Sequence, residues 1–183
     1  ITGGAGFIGS HIVDRLVKLG YNVLCVDNFD PYYSPELKRQ NLNASMNNEN
    51  FRLIEADIND HEKLHEFFKA NKIDKVIHMA AKAGVRASIE EPFAYTQTNI
   101  DGTLNLLELS RRFKVKNFIF ASSSSVYGIS NNIPFKENTP SRPISPYAAS
   151  KKSAEMFCHV YSHLYNIPIT CLRFFTVYGP RGR

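Results

Sequence analysis

The second half of the sequence contains a serine run, a tyrosine and a lysine whose spacing suits proton transfer. Four serines begin at Ser122 after an apolar segment, and Tyr147 and Lys151 form the pattern Tyr-x-x-x-Lys. Four residues span about one helical turn, so the phenol and the ammonium would project from the same face of a helix. Half-ionising a phenol at neutral pH requires a pKa lowered by about 3 units, roughly 4 kcal/mol, which a neighbouring ammonium and a second positive charge could supply. The pattern predicts a tyrosinate base, although Tyr-x-x-x-Lys alone is also common on surface helices.

A glycine-rich segment, GGAGFIG, begins at Gly3, where a strand would turn into a helix. Gly3 permits the tight turn, Gly6 lets a pyrophosphate approach the backbone without a Cβ in the way, and Gly9 lets the helix pack closely on the strand. The segment predicts a dinucleotide site, with a plain turn as the alternative for the glycines taken alone.

A carboxylate follows at the distance expected for such a site. Asp27 ends the next predicted strand, 18 residues after Gly9, and can accept hydrogen bonds from the adenosine ribose hydroxyls. No arginine follows at once to bind a 2′-phosphate, so NAD is favoured over NADP. Asp57, at the end of a further strand, is a candidate for the adenine edge. The alternatives are a solvated turn for Asp27 and a helix cap for Asp57.

The elements that must position these groups alternate between short apolar strands and longer helices. Strands are predicted at 22–27, 51–57, 75–80, 117–122 and 167–174, and helices at 7–19, 60–70, 92–113 and 146–165. Ser145 and Pro146 supply an N-cap and a first-turn proline for the last helix. The alternation predicts right-handed βαβ units in an α/β, doubly wound parallel sheet of the Rossmann type.

Composition narrows the classes of function. The 183 residues, 43% of them hydrophobic, are enough for one domain with a substantial core. A net charge of +5 without a basic run argues against nucleic acid as a partner. Cys25, Cys158 and Cys171 are too far apart for a disulfide framework or a paired metal site, which fits a reducing, cytoplasmic location and no metal. No apolar run approaches the roughly 20 residues that span a bilayer, so no membrane partner is expected.

Together the motifs resemble the extended short-chain dehydrogenase/reductase family of nucleotide-sugar epimerases and dehydratases. The resemblance covers essentially all of the chain and rests on GGAGFIG, DNFDPYY, HMAA, Asn99, SSSSVYG, YAASK and LRFFTVYGPRGR. It implies a bound NAD and a catalytic set of Ser123, Tyr147 and Lys151, with Ser124 as the alternative hydroxyl. The cofactor-binding residues it implies are Gly3, Gly6, Phe7, Ile8, Gly9, Asp27, Asn28, Asp57, Ile58, Ala80, Ala81, Asn99, Ser122, Tyr147 and Lys151.

The residues before VYG distinguish branches of this family. Relatives that eliminate water or carbon dioxide place an acidic residue there, whereas this chain has Ser124 and Ser125, which favours simple epimerisation at C4. DNFDPYY, AGVRAS and FFTVYGPRGR are similar to the UDP-glucuronate 4-epimerase branch, so a UDP-sugar is the expected substrate. Thr176 and Arg183 would hold its C5 carboxylate. The implied substrate-binding residues are Arg86, Ser88, Ser124, Ser125, Thr176 and Arg183.

Other activities remain open at this point. UDP-glucose or UDP-N-acetylglucosamine epimerisation is the first alternative. Decarboxylation or dehydration is disfavoured by the missing acidic residue, and a non-catalytic NAD-binding module is disfavoured by the intact Ser123, Tyr147 and Lys151.

The ends of the sequence and two of the helices carry further expectations. The glycine turn follows Ile1 and Thr2 directly, and the chain closes on a loop-like segment. We therefore interpret residues 1–183 as an NAD-binding domain with a shortened first strand, lacking a C-terminal substrate-binding lobe. The resemblance also implies a homodimer through the helices that start at Pro92 and Pro146, with core packing of their apolar stripes as the alternative.

Overall fold

Helices and strands alternate along the chain in the computed structural model, which describes residues 1–129 and 133–182. A π-helical turn (Gln97–Asp101) joins α6 to α7, and a 3-10 turn (Ser124–Tyr127) follows β4. The elements in chain order are α1 (Phe7–Lys18), β1 (Val23–Asp27), α2 (Pro35–Asn41), α3 (Asn43–Met46), β2 (Phe51–Glu55), α4 (His61–Ala70), β3 (Lys75–His78), α5 (Val85–Glu90), α6 (Pro92–Thr96), α7 (Gly102–Arg112), β4 (Asn117–Ser123), α8 (Pro146–Tyr165) and β5 (Ile169–Phe174).

The strands of these elements form parallel pairs. β1 pairs with β2, and β4 lies between β3 and β5. Thr2 connects the two groups through single bridges to Val26 of β1 and His78 of β3, which gives the spatial order β2, β1, Thr2, β3, β4, β5. Residue 2 thus occupies the place between β1 and β3 that a strand leading into the glycine turn requires. The predicted α/β fold with a parallel sheet is confirmed.

Helices cover both faces of the sheet because successive side chains of a strand point to opposite sides. On β1, Cys25 packs with Val13 and Leu42 in a cluster beneath the first three helices. The next residue, Val26, belongs to a larger cluster that includes Leu106 and Phe118 and lies beneath α4, α7 and α8. The two clusters make the domain doubly wound, as predicted.

The predicted boundaries agree with the structure to within about two residues. β5 begins at Ile169 rather than at 167, since Pro168 has no N–H to contribute to a ladder. The short helices α2, α3 and α5 were not predicted because they lack a sustained apolar period. The helix predicted at 92–113 contains the π-helical turn, a feature found mostly at functional sites.

Candidate functional site

A cleft of about 610 Å³ lies at the carboxyl ends of the strands. Parallel α/β sheets bind their ligands at this edge, where the βα loops diverge. The cleft is lined by the glycine turn, by residues that end or follow each strand and by the first turns of α8. Every residue predicted to bind the cofactor except Asn99 lines it, as does Ser123.

The glycine turn is tightly packed. Gly3 has a φ of 65°, and a Cβ added to Gly9 would lie 2.1 Å from the Gly3 carbonyl oxygen. A Cβ on Gly6 would lie 3.3 Å from the same oxygen, a tight but far less severe contact. Gly6 is also the N-cap of α1 and offers no side chain to its first amides. These N–H groups are therefore available to an anion in the cleft.

The carboxylate of Asp27 is buried and held in one orientation. Its Oδ2 accepts from the amide of Ala5 at 3.0 Å and its Oδ1 from the amide of Phe29 at 2.9 Å. The ammonium of Lys38, also buried and also lining the cleft, lies 3.9 Å from Oδ1. Sequence reasoning missed Lys38 because it lies on α2, a polar helix without an apolar stripe.

Asp57 is oriented by neighbours at the end of β2. Its Oδ2 accepts from Asn28 Nδ2 at 2.7 Å, and its Oδ1 accepts from the amide and the side chain of Asn59. Asp60, not Asp57, caps α4 by accepting from the amide of Lys63. The helix-cap alternative for Asp57 is therefore wrong.

Ser123, Tyr147 and Lys151 meet on one wall of the cleft. Ser123 ends β4, and its side chain lies close to that of Tyr147, on the first turn of α8. Burial raises the pKa of Tyr147, and the Ser123 hydroxyl opposes that shift. Burial lowers the pKa of Lys151 to about 8, and its ammonium donates to the carbonyl of Ala121 at 2.8 Å. Ser124 lies in the following 3-10 turn and does not line the cleft, so the geometry favours Ser123 as the hydroxyl.

Asn99 lies behind the wall of the cleft, not on its surface as expected for a cofactor ligand. It is buried in the π-helical turn, where its Oδ1 accepts from the amide of Lys82 at 2.8 Å. Its Nδ2 donates to the carbonyl of Lys82 and to Ser150 Oγ, which in turn donates to the carbonyl of Tyr147. The side chain of Asn99, predicted to bind the cofactor, is thus bonded to the surrounding backbone and to Ser150.

Within residues 1–129 and 133–182, none of the predicted substrate residues lines the cleft. Ser88 is fully buried and donates to the carbonyl of Val85 at 2.6 Å, so its hydroxyl is used within the protein. Arg86 and Thr176 are exposed. Ser124 and Ser125 are half-buried in the 3-10 turn, where the amide of Ser125 donates to Ser123 Oγ. Arg183 lies outside the described residues.

Three further polar side chains near the cleft were not predicted. Lys82 lines the cleft and forms an ion pair of 3.5 Å with Asp30. Glu155 of α8 and Arg173 of β5 form a bidentate pair, and Ser122 Oγ donates to the same carboxylate at 2.6 Å. The spacing of Glu155, one turn beyond Lys151, was the signal that could have revealed it.

Within 1–129 and 133–182, no helix combines the length and apolar character needed to cross a membrane. The same residues contain no group of three or more His, Cys, Asp or Glu side chains placed to hold a metal ion.

Comparison with known proteins adds independent information. The family model described as GDP-mannose 4,6 dehydratase matches residues 1–183. Protein CapI from Staphylococcus aureus is 49% identical over 184 residues, which cover 100% of this chain and 55% of that protein. A UDP-glucuronate 4-epimerase from Thermodesulfobacterium geofontis is 47% identical, with 100% of this chain and 57% of that protein covered. The chain spans about half the length of the curated relatives it matches.

Solved structures are similar over the same region. UDP-glucuronic acid 4-epimerase from Bacillus cereus, in complex with UDP-glucuronic acid and NAD, is 42% identical with a TM-score of 0.90, covering 100% of this chain and 57% of that chain. UDP-glucose 4-epimerase from Thermotoga maritima, with UDP-glucose, is 41% identical with a TM-score of 0.89, covering 98% of this chain and 56% of that chain. Proteins similar to this chain thus include epimerases named for different sugars.

Proposed function

Because this chain belongs to the NAD-dependent epimerase/dehydratase family, we propose that it is the NAD-binding domain of an enzyme that inverts C4 of a nucleotide sugar. We propose UDP-glucuronate as the substrate and UDP-galacturonate as the product, through a transient 4-keto sugar. The observation that carries the proposal is that Ser123, Tyr147 and Lys151 line the same cleft as the glycine turn and Asp27.

The groups in the cleft fit NAD. The free amides at the start of α1 suit a pyrophosphate, and Gly6 leaves room for it against the backbone. Asp27 presents an oriented carboxylate to a ribose, and the same negative charge would repel a 2′-phosphate. Bound NAD would supply the hydride acceptor and would be regenerated in each cycle.

Tyr147 is the proposed base for the C4 hydroxyl proton. Its phenol is partly buried, which raises its pKa, and it therefore needs nearby positive charge to ionise. Lys151 provides one such charge, since its pKa of about 8 leaves most of its ammonium protonated at neutral pH. The Ser123 hydroxyl acts against the rise in the pKa of Tyr147 and would also orient the sugar hydroxyl. After the 4-keto sugar has rotated in the site, Tyr147 returns the proton to the C4 oxygen.

The choice of UDP-glucuronate is supported by residues beside the cleft and by the relatives of that name. Thr176 is exposed and lies in the chain between Phe175 and Val177, which line the cleft, so this segment borders the space where a sugar would bind. A 4-keto uronate loses carbon dioxide when its carboxylate is aligned with the ketone. Donors such as Thr176 and Arg183 would hold the carboxylate out of that alignment. UDP-glucose is the second candidate, favoured by the similarity to the Thermotoga maritima enzyme.

A homodimer through α6 and α8 is also part of the proposal. The stripes noted in the sequence are largely core, since Leu107, Ala154 and Cys158 are buried. A different face of α8 carries Met156 and Val160, which are 61% and 42% exposed. These apolar side chains are suited to contact a second copy, and analytical ultracentrifugation of the whole protein tests that association.

Assay of the whole protein against UDP-glucuronate, UDP-glucose and their N-acetyl counterparts tests the activity. Tyr147→Phe should retain the fold and bound NAD and lose turnover by about 1,000-fold, since one hydroxyl carries the proton. Tyr21→Phe, at an exposed position, is the matched control and should keep the parent activity. Activity of the Tyr147→Phe variant within tenfold of the parent would contradict the proposed base.

The ratio of kcat/KM values tests the substrate. Arg183→Ala removes a charge-assisted contact with the C5 carboxylate worth about 1.5 to 3 kcal/mol, so kcat/KM for UDP-glucuronate should fall about ten- to a hundredfold. UDP-glucose has a hydroxymethyl group there and should be nearly unaffected. An equal loss on both substrates would assign Arg183 to another role.

A further inference from the structure

The carboxylate of Glu155 is buried where α8 contacts the ends of β4 and β5. It accepts four hydrogen bonds, from Ser122 Oγ at 2.6 Å, Arg173 Nε and Nη2 at 2.8 and 2.9 Å, and Lys152 Nζ at 3.0 Å. Burial alone would raise the pKa of Glu155, but the bonds from Arg173, Ser122 and Lys152 lower it to about 2. Both carboxylate oxygens are fully bonded, so Glu155 forms a charged junction between α8, β4 and β5.

This junction is adjacent to the candidate catalytic residues. Tyr147, Lys151 and Glu155 follow one another at intervals of four along α8 and so share one face. In the sheet, Ser122 lies opposite Arg173 and the next pair is Ser123 with Phe174. Glu155 lies on the helix that carries Tyr147 and bonds to both Ser122 and Arg173. These two residues form the sheet pair that immediately precedes Ser123 and Phe174.

Arg173 extends the junction to the segment beyond β4. Its Nη1 donates to the carbonyl of Glu137 at 3.2 Å, and its guanidinium lies 4.8 Å from the ring centroid of Tyr127. Tyr127 in turn stacks on Phe135 with centroids 4.8 Å apart. These contacts fix the position of the guanidinium, as a bidentate ion pair requires.

We propose that Glu155 is a positioning residue that sets the separation of the Ser123 hydroxyl and the Tyr147 phenol. Glu155 does not line the cleft, so it acts through Ser122 and Arg173 rather than on the substrate. A buried ion pair contributes little net stability compared with a packed apolar pair, whereas its hydrogen bonds specify geometry closely. This inference rests on the proposed function, because it concerns the same proton transfer.

Glu155→Gln in the whole, NAD-loaded protein is the first test. The variant keeps the volume but turns N–H groups toward Arg173, so Ser123 should shift relative to Tyr147. We expect kcat to fall about tenfold to a hundredfold, with KM changed less than about threefold. The apparent pKa in the pH profile of kcat should rise, since a displaced Ser123 hydroxyl lowers the pKa of Tyr147 less. A purely structural role would lower Tm but leave this profile unchanged.

Two further variants keep the test decisive if Glu155→Gln folds poorly. Glu155→Asp retains the charge but is shorter by one methylene, and it should reduce kcat in the same way. In the double variant Glu155→Gln with Arg173→Gln, two neutral amides can bond to each other and should restore at least about fivefold of the lost kcat. Parent-like kcat and pH profile in both single variants would overturn the inference.

Glu108 offers a matched control. It forms a comparable bidentate pair with Arg111 on α7, at 2.6 and 2.9 Å, away from the strand ends. Glu108→Gln should leave kcat and its pH profile unchanged.

Failure of the proposed function would appear as a parent protein that epimerises no UDP-sugar. Phenolate absorbance of the cofactor-free parent and Glu155→Gln, each corrected with Tyr147→Phe, then reports the pKa of Tyr147 without any turnover, and equal values would overturn the inference.

Discussion

The phenol of Tyr147 and the ammonium of Lys151 are both perturbed toward their neutral forms by burial. Burial raises the pKa of Tyr147 and lowers that of Lys151 to about 8. The lysine remains largely charged at neutral pH, whereas the phenol remains protonated. A positively charged ring stacked in the cleft would supply the additional field that ionises the phenol. Coupling the base to the bound cofactor in this way would limit proton abstraction to the loaded enzyme.

Asp27 allows a test of the cofactor assignment at the same scale. Asp27→Asn should weaken NAD binding about ten- to a hundredfold, because a charge-assisted bond to the ribose is lost. Affinity for the UDP-sugar should change little, since the carboxylate is proposed to contact the adenosine ribose alone. Calorimetric titration of the two ligands measures both effects.

The control for Asp27 is Asp101→Asn, which alters an exposed carboxylate that does not line the cleft. It should bind NAD as the parent does. Unchanged NAD affinity in Asp27→Asn would show that the glycine turn and Asp27 do not act together in one site.

At the scale of elements, α8 organises the candidate active site. Ser145 Oγ accepts from the amide of Ala148 at 3.1 Å and Pro146 occupies the first turn, so the start of the helix is well defined. Tyr147 and Lys151 lie within the first two turns, where a shift of the cap would displace both groups. Farther along, Glu155 connects the helix to β4 and β5. The position of the Tyr147 phenol relative to the ends of β4 and β5 therefore depends on how α8 is held.

Two similar substitutions where the glycine turn meets α1 should have different effects, Gly6→Ala on NAD binding and Gly9→Ala on stability. Gly6→Ala adds a Cβ at 3.3 Å from the Gly3 oxygen, at a backbone conformation that alanine adopts readily. Stability should stay near that of the parent, while NAD binding weakens by about tenfold or more because the methyl occupies the pyrophosphate approach. Gly9→Ala places a Cβ at 2.1 Å from that oxygen and should lower the free energy of unfolding by about 3 kcal/mol.

Denaturant unfolding and NAD titration of the two variants separate these effects, each variant serving as the control for the other. Equal destabilisation of both would mean that the turn is more adaptable than its packing indicates.

At the scale of the whole molecule, a buried histidine connects the N-terminal segment to the helical layer. The Nδ1 of His78 lies 2.7 Å from Thr2 Oγ1, and its Nε2 lies 2.9 Å from Thr103 Oγ1. Thr103 donates to the carbonyl of Asn99, so its oxygen accepts from Nε2–H of His78. Burial, followed by the charge of Lys151, lowers the pKa of His78 to about 3. The imidazole thereby joins Thr2, β3 and α7 across the centre of the fold.

The lowered pKa of His78 predicts that the free energy of unfolding depends on pH. The unfolded state binds a proton at His78 near pH 6.5 and the folded state near pH 3, so stability is complete above about 6.5 and declines as pH falls below it. Between pH 7 and pH 5 the parent should lose about 2 kcal/mol from this group. The lowered pKa of Glu155 acts only below about 4.5 and does not contribute in this window. Urea unfolding at the two pH values measures the loss.

Replacement of the ring provides the comparison. His78→Gln should be less stable at pH 7 but should lack this part of the pH dependence. His159→Gln, at an exposed position, should keep the dependence of the parent. Equal pH dependence in His78→Gln and the parent would assign the loss to other groups.

The sequence by itself determined the features that depend on neighbours along the chain. The glycine turn, the carboxylate at the end of β1, the alternation of strands and helices and the start of α8 all follow from spacing, periodicity and capping. Such signals are local, so they can be interpreted without knowing what packs against them. They were sufficient to predict the fold class, and every residue predicted to bind the cofactor except Asn99 lines the cleft.

The tertiary structure alone decided the contacts between distant segments. The hydrogen bond from Ser122 to Glu155 joins residues 33 apart, and Lys38 reaches Asp27 from a helix with no apolar pattern. Ser88 and Asn99 were expected to contact ligands, yet both side chains are used within the protein. A motif gives the identity of a residue and its order in the chain. The direction of a side chain, and hence what it can bind, depends on how helices pack on the sheet.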